Sequence, residues 1–322
     1  MKELAIVIPA YKKEYLGATI ESIASQSCKD FNLYIGDDNS PYNLYDIIKR
    51  YEKCISIKYK KFQNNLGGKN LAEHWNRCLS LVNDEKYIWF FSDDDIMDCT
   101  CVENFLKTIR SQPKVFNVYH FNICMINKSG EVIRKPAAFP DSLDAVDFFR
   151  LLYLEKIEAR MPEFIFSAQS LRKNGGFVPF DLAWRTDNAT VIKNSLDTGI
   201  YTVAGSNVLW RISDVNISAK NTDLLLRKDE ATICFFNWVY DILSNKFGRF
   251  PIPPLTMIKM IKIKMGVLCG TFNIFTLWDV SKRFNYIDNY RKRVLFVCVS
   301  IFIRLNKTIN YLWKSLCSFV KM

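Results

Sequence analysis

The sequence of 322 residues predicts an α/β protein with a mainly parallel sheet flanked by helices, followed by a helical C-terminal region. Three observations support this prediction. Short apolar runs alternate four times with segments of helical periodicity between residues 4 and 109, which is the signature of a parallel sheet covered on both faces. Each apolar run ends in a polar loop, and the excess positive charge lies in the last third of the chain.

The first predicted strand is the buried apolar run LAIVIPA at residues 4–10. No small-residue cleavage site follows it and lysines come soon after, so we interpret it as a strand and not as a signal peptide. Three further strands and four helices are predicted, with the strands at residues 31–36, 55–62 and 86–91 and the helices across residues 16–24, 44–51, 71–82 and 102–109.

Length and charge predict two regions. At roughly 150 residues per domain, the length suits about two domains, or one large domain with an appendage. Residues 221–322 contain 16 Lys and Arg against 6 Asp and Glu, whereas residues 1–220 contain 28 against 27. We therefore expect an α/β domain at residues 1–220 and a basic helical region with a different partner at residues 221–322.

Several classes of protein are disfavoured by the motifs. The ten cysteines are dispersed, only Cys99 and Cys101 lie close together, and the chain has two histidines, so the sequence contains no zinc constellation. Dispersed cysteines suit a reducing cytoplasm. The loop after the third strand lacks the P-loop pattern, and no G-x-G-x-x-G follows the first strand, which argues against P-loop and dinucleotide-binding proteins.

An acidic loop ends the fourth predicted strand. Residues 89–98 read WFFSDDDIMD, in which an apolar run passes directly into Asp93–Asp95. Adjacent like charges repel, so either they face water as an ordinary polar turn or a cation lies among them. Mg²⁺ and Mn²⁺ prefer carboxylate oxygens and leave positions open for phosphate oxygens. Because the second strand also ends in an acidic pair, Asp37–Asp38, we predict a metal–diphosphate site at this edge of the sheet.

Two stretches carry a family resemblance. LAIVIPAYKKEYLGATIESIASQSCKDFNLYIGDDNS and, further along, NNLGGKNLAEHWNRCLSLVNDEKYIWFFSDDDIM closely resemble the family 2 glycosyltransferases, which have the GT-A fold. The resemblance runs from residue 4 to about residue 218, with four motifs in the family's order. It implies a nucleotide-sugar donor, which we expect to be a UDP-sugar, and a single displacement that inverts the anomeric centre.

The resemblance places the nucleotide at the first two strand ends. By match to the family's motifs, Pro9, Ala10, Tyr11 and Asp38 hold the base. A carboxylate accepts a hydrogen bond from the N3–H of uracil, which gives Asp38 a physical role. Asp37 is expected to cap the loop instead.

The SDDD stretch resembles the D-x-D motif of the family, with Ser92 in place of the first aspartate. Asp94 falls at the position of the family's metal ligand. Asp93 is expected to support the ribose or the metal, and Asp95 is left without a role. Arg211 falls near the donor end, where it either binds the diphosphate or forms an ion pair.

Glycosyl transfer needs a base that deprotonates the acceptor hydroxyl. The family has an acidic residue at a helix start after a Gly-Gly-Phe turn, and by this match Asp187 is the expected base. The structural alternative is that Asp187 is only a helix N-cap, and Asp181 is the second candidate for the base. Trp184 either stacks on an acceptor sugar or belongs to the core.

The last predicted element begins at about Arg293 and forms two stripes when it is plotted as a helix. Its longest uncharged run has ten residues, well short of the ~20 that span a bilayer. A basic amphipathic helix suits the surface of an anionic membrane, and the alternative is that it packs on the α/β domain. Nucleic acid is disfavoured as a partner because no nucleic-acid-binding motif is present. The basic stripe comprises Arg293, Ser300, Arg304, Lys307, Lys314, Ser318 and Lys321, and the apolar stripe comprises Leu295, Val299, Phe302, Ile309, Trp313, Leu316 and Val320.

The family resemblance, taken with the acidic strand ends, implies a metal-dependent, inverting glycosyltransferase that uses Mg²⁺ or Mn²⁺. Its expected acceptor is a glycan or a lipid-linked glycan in cell-surface polysaccharide synthesis, and its expected location is the cytoplasm, peripherally on the inner face of the membrane. The rival hypothesis is a non-catalytic module on the same fold that binds nucleotide-sugars or glycans. A sugar nucleotidyltransferase is disfavoured because IPAYKKEYLG does not supply a G-T-R-type loop.

Overall fold

The computed structural model describes residues 2–212, 224–265, 268–270 and 273–319, with the side chains of the last helix described up to residue 306. The chain divides into two compact units, Met1–Lys220 and Asn221–Met322. The division falls where the balance of charged residues changes along the sequence.

Four parallel strands form the first half of the sheet, as the alternating pattern predicts. They are β1 (Leu4–Ala10), β2 (Phe31–Asp37), β3 (Ile57–Lys61) and β4 (Tyr87–Phe90), in the order β3-β2-β1-β4. In the centre, Ile6 of β1 is paired with Leu33 on one side and Trp89 on the other. Strands covered on both faces are continuous apolar runs, which is why β1, β2 and β4 were visible in the sequence. The edge strand β3, IKYKK, is only half-buried and alternates instead.

The second half of the sheet is mixed, and the alternating pattern did not predict it. Strand β9 lies antiparallel between β4 and β6, and β10 runs parallel to β6 and antiparallel to β5. The pairing of Leu209 with Ile96 brings the end of β10 beside the segment that follows the acidic loop. These strands are β5 (Ile96–Met97), β6 (Val118–Ile126), β7 (Val132–Arg134), β8 (Ser142–Leu143), β9 (Phe164–Ser167) and β10 (Ile200–Arg211).

Helices α1 to α7 belong to the first unit. Apolar side chains of α1 and α4 share one buried cluster with the sheet, including Leu16 and Ile20 of α1 and Val102 and Phe105 of α4. Fully burying a Leu, Ile or Phe side chain contributes about 1.5–3 kcal/mol to stability. This cluster therefore holds the strands, and with them the loops at their ends, in place. The helices are α1 (Leu16–Ala24), α2 (Tyr45–Ile48), α3 (Leu71–Leu79), α4 (Cys101–Ser111), α5 (Ala145–Tyr153), α6 (Ala168–Lys173) and α7 (Thr186–Ser195).

The second unit is helical, as predicted. Helix α8 ends where Gly248 takes a left-handed conformation with φ 72°, and prolines follow at 251, 253 and 254. The last helix packs against the two helices before it. Within the described residues, none of the helices is long and apolar enough to cross a membrane. The helices of this unit are α8 (Leu225–Phe247), α9 (Pro254–Lys264), α10 (Ile274–Ser281) and α11 (Tyr290–Phe319).

The structure corrects the predicted faces of α11. Ser300, assigned to the basic stripe, is fully buried together with Phe296 and Val297, whereas Phe302 of the apolar stripe is 62% exposed. Residues three and four apart share one face of a helix, so Ser300 follows its larger apolar neighbours into the interior. Four further stripe residues, Arg293, Leu295, Val299 and Arg304, are half-buried. The stripe residues from Lys307 onwards, namely Lys307, Ile309, Trp313, Lys314, Leu316, Ser318, Val320 and Lys321, lie outside the described side chains.

A tight Gly-Gly turn leads from α6 towards α7. Gly175 and Gly176 have φ values of 79° and 80°, in the left-handed region that suits glycine. Behind the turn, the side chain of Asn76 on α3 accepts from the backbone N–H of Phe177 at 2.7 Å and donates to the Phe177 carbonyl at 3.2 Å. This turn therefore fixes the course of the chain before Asp187.

Replacing Gly176 by Ala should destabilise the protein more than replacing Gly175 by Ala. Both changes strain a left-handed residue by roughly 1–2 kcal/mol. At Gly176 the added Cβ would lie 2.3 Å from Asn76 Oδ1, whereas at Gly175 it would meet nothing within 4 Å. Asn76 would have to release Phe177, so we expect a further loss of about 1–3 kcal/mol. Chemical denaturation measures both variants, and equal losses would contradict this account of the turn.

Candidate functional site

Three strand-end loops meet at the carboxyl edge of β1, β2 and β4, and Tyr11 joins them. Its backbone N–H donates to Asp93 Oδ2 at 2.9 Å, and its carbonyl accepts from Ser40 Oγ at 2.7 Å. Beside it, the carbonyl of Ala10 accepts from the backbone N–H of Asp38 at 2.9 Å. The Tyr11 side chain is 40% exposed, so its ring is accessible for stacking at the point where the loops meet.

Asp37 holds the loop after β2, as expected. Its Oδ1 accepts from the backbone N–H of Ser40 at 2.7 Å, and its Oδ2 accepts from the hydroxyl of Tyr59 at 2.6 Å. Pro9 lies opposite Gly36 in the register of the neighbouring strand, so the end of β1 is fixed against the same loop. Asp37 is fully buried, and its two oxygens bind the backbone of the loop and the Tyr59 hydroxyl.

Asp38 organises the loop after β3. Its two carboxylate oxygens accept from the backbone N–H groups of Leu66 and Gly67, each at 2.8 Å, and it forms an ion pair with Arg77 of α3. A Cβ at Gly67 would lie 2.5 Å from Asp38 Oδ2, so a glycine is needed for this close approach. Base recognition by Asp38 stays a prediction, and Arg77 is a partner that the sequence did not indicate.

His74 lies behind Asp38 and positions Arg77. Its Nδ1 accepts from Arg77 Nε at 3.0 Å and is 3.4 Å from Asp38 Oδ1, while the guanidinium of Arg77 lies 4.0 Å from the centre of the Phe62 ring. Burial lowers the pKa of His74 to about 4, although the negative charge of Asp38 opposes this shift. The neutral ring can therefore accept a hydrogen bond from Arg77 at neutral pH.

Asp93 joins the loops after β4 and β1. Its Oδ2 accepts from the backbone N–H groups of Tyr11 and Lys12, at 2.9 and 2.8 Å. Burial raises the pKa of Asp93, and the positive charge of Lys12 opposes this shift. Because its oxygens are already engaged by the protein, Asp93 serves to position the loop; contact with ribose or metal stays a prediction.

A lysine that the sequence analysis did not single out lies between two of the aspartates. Lys12 Nζ is 3.3 Å from Asp93 Oδ1 and forms an ion pair with Asp94 Oδ2. Burial opposes the charged form of this lysine, but the two carboxylates outweigh burial and raise the pKa of Lys12. The sequence feature that could have identified Lys12 was its position directly after Tyr11 in the predicted nucleotide loop.

Asp95 points into the protein. Its carboxylate accepts from the hydroxyl of Ser92 and, at 2.7 Å, from the backbone N–H of Arg211, while its carbonyl accepts from Thr19 Oγ1 at 2.8 Å. Burial and the neighbouring charge of Asp94 raise the pKa of Asp95 to about 8. Asp95 therefore ties the acidic loop to β10 and α1.

Arg211 holds the acidic loop from the end of β10. Its Nε donates to the Asp94 carbonyl at 2.9 Å, and its Nη1 donates to the carbonyls of Asn127 and Lys128 at 3.0 and 2.9 Å. The guanidinium lies 4.4 Å from the centre of the Tyr15 ring, and the residue is buried. These contacts give Arg211 a positioning role, and binding to a diphosphate stays a prediction.

Asp187 lies in the first turn of α7 but is not its N-cap. The N-cap residue is Arg185, which makes no side-chain capping bond. Asp187 Oδ1 accepts from the backbone N–H of Asn188 at 2.8 Å. Burial raises the pKa of Asp187, while the Asn188 bond and the charges of Arg185 and Arg160 oppose this shift. The N-cap alternative is therefore wrong, and Asp187 is a half-buried carboxylate in a basic surrounding.

The segment before α7 has an unusual backbone. Leu182, Ala183 and Arg185 have φ values of 58°, 51° and 74°, which side chains disfavour. Trp184 is half-buried, and the guanidinium of Arg185 lies 4.8 Å from the centre of its ring. Trp184 is therefore not a fully buried core residue. Asp181 is exposed and accepts from the backbone N–H of Leu182 at 3.0 Å. Such strain is common at functional sites.

A second buried carboxyl near Asp187 was missed in the sequence. Glu163 Oε1 is 3.4 Å from His120 Nε2, and neither oxygen of Glu163 has a hydrogen-bond partner within the described part of the chain. Burial raises the pKa of Glu163 and lowers that of His120 to about 3, so the imidazole is uncharged at neutral pH and the contact is not an ion pair. Nearby, the Arg160 guanidinium lies 4.8 Å from the ring centre of Trp210. A glutamate directly before an apolar strand was the available signal.

The carboxylates of Asp93 and Asp94 fit a single cation. Both contact the same ammonium, that of Lys12, so their oxygens converge on one position. Among the residues that the structure describes, no group of three or more His, Cys, Asp or Glu side chains could hold a metal. A divalent ion at this position would therefore draw its other ligands from phosphate oxygens or water.

Comparison with known proteins gives one family. The family model of Glycosyl transferase family 2 matches residues 5–160. Over 126 residues, the chain is 28% identical to the Escherichia coli UDP-Glc:alpha-D-GlcNAc-diphosphoundecaprenol beta-1,3-glucosyltransferase, covering 38% of this chain and 47% of that protein. Over 137 residues it is 26% identical to a GalNAc(5)-diNAcBac-PP-undecaprenol beta-1,3-glucosyltransferase of Campylobacter jejuni, covering 42% of each. The chain thus spans less than half the length of these curated relatives.

A solved structure confirms the predicted GT-A architecture with its helical C-terminal region. The Staphylococcus aureus TarS fragment 1–349 in complex with UDP-GlcNAc has a TM-score of 0.70 with this chain at 14% sequence identity. The match covers 96% of this chain and 92% of the TarS fragment. At this identity, the similarity concerns the fold.

His74 should titrate near pH 4 and not near its ordinary value of 6.5. Because its pKa is lower in the folded state, the unfolded state binds the proton first. Its contribution to stability is therefore complete above pH 6.5 and is lost as the pH falls towards about 4. Nitrogen-15 NMR of the imidazoles measures this, and His74→Gln assigns the signals because His120 is the other histidine. A midpoint near 6.5 would contradict the buried contact with Arg77.

Proposed function

Because this chain carries a Glycosyl transferase family 2 domain over residues 5–160, we propose that it is an inverting glycosyltransferase. The proposed donor is a UDP-sugar, and the proposed acceptor is a glycan or a lipid-linked glycan in cell-surface polysaccharide synthesis. The observation that carries the proposal is the joining of three strand-end loops by Tyr11, Asp38 and Asp93 at one edge of the sheet. Two relatives whose names include undecaprenol-linked acceptors support the class of acceptor.

The proposed nucleotide site uses the first two loops. Tyr11 would stack on the base through its exposed ring, with Pro9 beside it. Ala10 is fully buried and would act through its carbonyl, which binds the backbone N–H of Asp38. Asp38 Oδ1 accepts from the backbone N–H of Leu66 and from Arg77, whereas Oδ2 accepts from the backbone N–H of Gly67 and has a second lone pair for a uracil N3–H. Arg77 holds this carboxylate in place.

A divalent cation, Mg²⁺ or Mn²⁺, is part of the proposal. Asp94 would hold it, with Asp93 beside it, because these two carboxylates converge on one position. When bound, such an ion acts as a Lewis acid that offsets charge on the diphosphate. Arg211 and Asp95 would keep the acidic loop in the required conformation through their bonds to one another and to the Asp94 carbonyl.

Asp187 is the proposed base. Its carboxylate would accept the proton of the acceptor hydroxyl while that oxygen forms a bond to C1 of the donor sugar. The bond between C1 and the diphosphate oxygen breaks in the same step, and UDP leaves. From a UDP-α-sugar the product is a β-glycoside. Burial raises the pKa of Asp187 and so strengthens it as a base.

Peripheral attachment to the cytoplasmic face of a membrane is proposed for the second unit. The exposed apolar residues Val294, Phe302 and Leu305 lie along one side of α11, at 38%, 62% and 46% exposure. This unit also carries almost all the excess positive charge of the chain. Apolar insertion together with attraction to anionic headgroups gives reversible surface binding.

Asp187→Asn should retain UDP binding and lose transfer. Removing a general base costs about 10²–10⁴-fold in rate, whereas the donor site does not include this carboxylate. The measurements are calorimetric titration with UDP and turnover across a panel of UDP-, GDP- and dTDP-sugars, with and without Mn²⁺. Asp181→Asn is the matched control. Normal transfer by Asp187→Asn would promote Asp181, and UDP binding without any transfer by the wild type would favour the non-catalytic module.

Paired substitution Phe302→Glu with Leu305→Glu should abolish binding to anionic vesicles. Both side chains are exposed, so the fold should persist, whereas truncation before α11 would remove the buried Phe296 and Val297 and uncover the helices on which α11 packs. An anionic membrane surface attracts each nearby basic residue by about 1 kcal/mol, and it repels each added glutamate. Co-sedimentation at low and high salt is the measurement, with Ile133→Glu, an exposed apolar residue of β7, as control. Unchanged binding of the paired variant would exclude this face of α11.

A further inference from the structure

We propose that the Lys12 ammonium is the resident cation of the acidic loop and that a divalent metal reaches Asp94 only by displacing it. This inference rests on the proposed metal-binding role of Asp94. It makes Lys12 the residue that sets the metal affinity of the nucleotide-free protein.

The charges of the loop support this role. Asp93 and Asp94 are both nearly buried, and uncompensated buried carboxylates are costly. Lys12 Nζ contacts both, at 3.3 Å from Asp93 Oδ1 and as an ion pair with Asp94 Oδ2. A metal that used the same two oxygens would lie within a few ångströms of the ammonium, where two cations repel strongly. Lys12 and the metal therefore exclude one another.

The exposure of the three side chains indicates how a metal would reach the two carboxylates. The Lys12 side chain is 30% exposed, whereas those of Asp93 and Asp94 are 6% and 7% exposed. The Lys12 side chain is thus more accessible to solvent than the two carboxylates that it contacts, so an incoming ion would approach them past this side chain. Lysine carries its charge on a flexible four-carbon chain, which allows the ammonium to leave without a change in the backbone.

The backbone of the loop is held independently of the Lys12 side chain. The backbone N–H groups of Tyr11 and Lys12 donate to Asp93 Oδ2 at 2.9 and 2.8 Å. A substitution that removes the ammonium retains both of these bonds. Loss of the charge can therefore be separated from loss of the loop.

The test is direct Mn²⁺ binding to nucleotide-free protein, read from the loss of the electron paramagnetic resonance signal of aqueous Mn²⁺. Lys12→Gln should bind Mn²⁺ about tenfold more tightly than the wild type, because the competing cation is gone. Lys12→Arg keeps the charge and should show no such gain. Lys13→Gln removes a neighbouring exposed lysine and should match the wild type. In the double variant with Asp94→Asn, the gain should disappear.

Equal Mn²⁺ affinity of the wild type and Lys12→Gln would overturn the inference, as would the same gain in Lys12→Arg. Absence of Mn²⁺ binding in every variant at millimolar concentration would also overturn it, because removal of Lys12 would then have opened no metal site. Failure of the proposed function is measured separately. It would appear as absence of UDP-sugar binding and transfer in the wild type, regardless of which variant binds Mn²⁺ most tightly.

Discussion

The bonds from the backbone N–H groups of Tyr11 and Lys12 to Asp93 are the contacts on which the candidate site depends. They connect the loop after β1 to the loop after β4, 81 and 82 residues further along the chain. The carbonyl of the same tyrosine then binds Ser40 of the loop after β2. One carboxylate and one peptide unit thus set the relative positions of three loops. Because charged acceptors form stronger hydrogen bonds than neutral ones, this junction is well suited to a rigid binding edge.

Burial of like charges is the cost of this arrangement, and each aspartate offsets it differently. Asp93 uses backbone N–H groups and Lys12, Asp94 uses the Lys12 ammonium, and Asp95 uses Ser92 and the backbone N–H of Arg211. Burial nevertheless raises the pKa of Asp93 and of Asp95. The acidic loop is therefore balanced by groups of the protein itself, which explains how three adjacent aspartates can lie away from water.

The sequence indicated the site residues that lie next to a clear local pattern, such as an apolar run or a family motif. Apolar runs gave the ends of β1, β2 and β4, and the carboxyl edge of a parallel sheet then predicted which polar loops meet. Family resemblance added Asp187, which lies in the first turn of a helix, as expected. The predicted faces of α11 were wrong at Ser300 because packing of Phe296 and Val297 decides which side turns inward. Helical periodicity alone cannot show which of two apolar faces of a helix is buried.

The sequence by itself determined the α/β architecture of the first unit, the acidic strand ends and the separation of charge between the two units, because these follow from short-range periodicity and composition. Only the tertiary structure decided the partners of those acids. Arg77 reaches the Asp38 carboxylate across 39 residues, and the backbone N–H of Arg211 reaches the Asp95 carboxylate across 116. Such pairs depend on the order of strands in the sheet, and β9 and β10 enter it through long connections that carry no local signal. Lys12 shows the same limit, since its ion-pair partner lies 82 residues away.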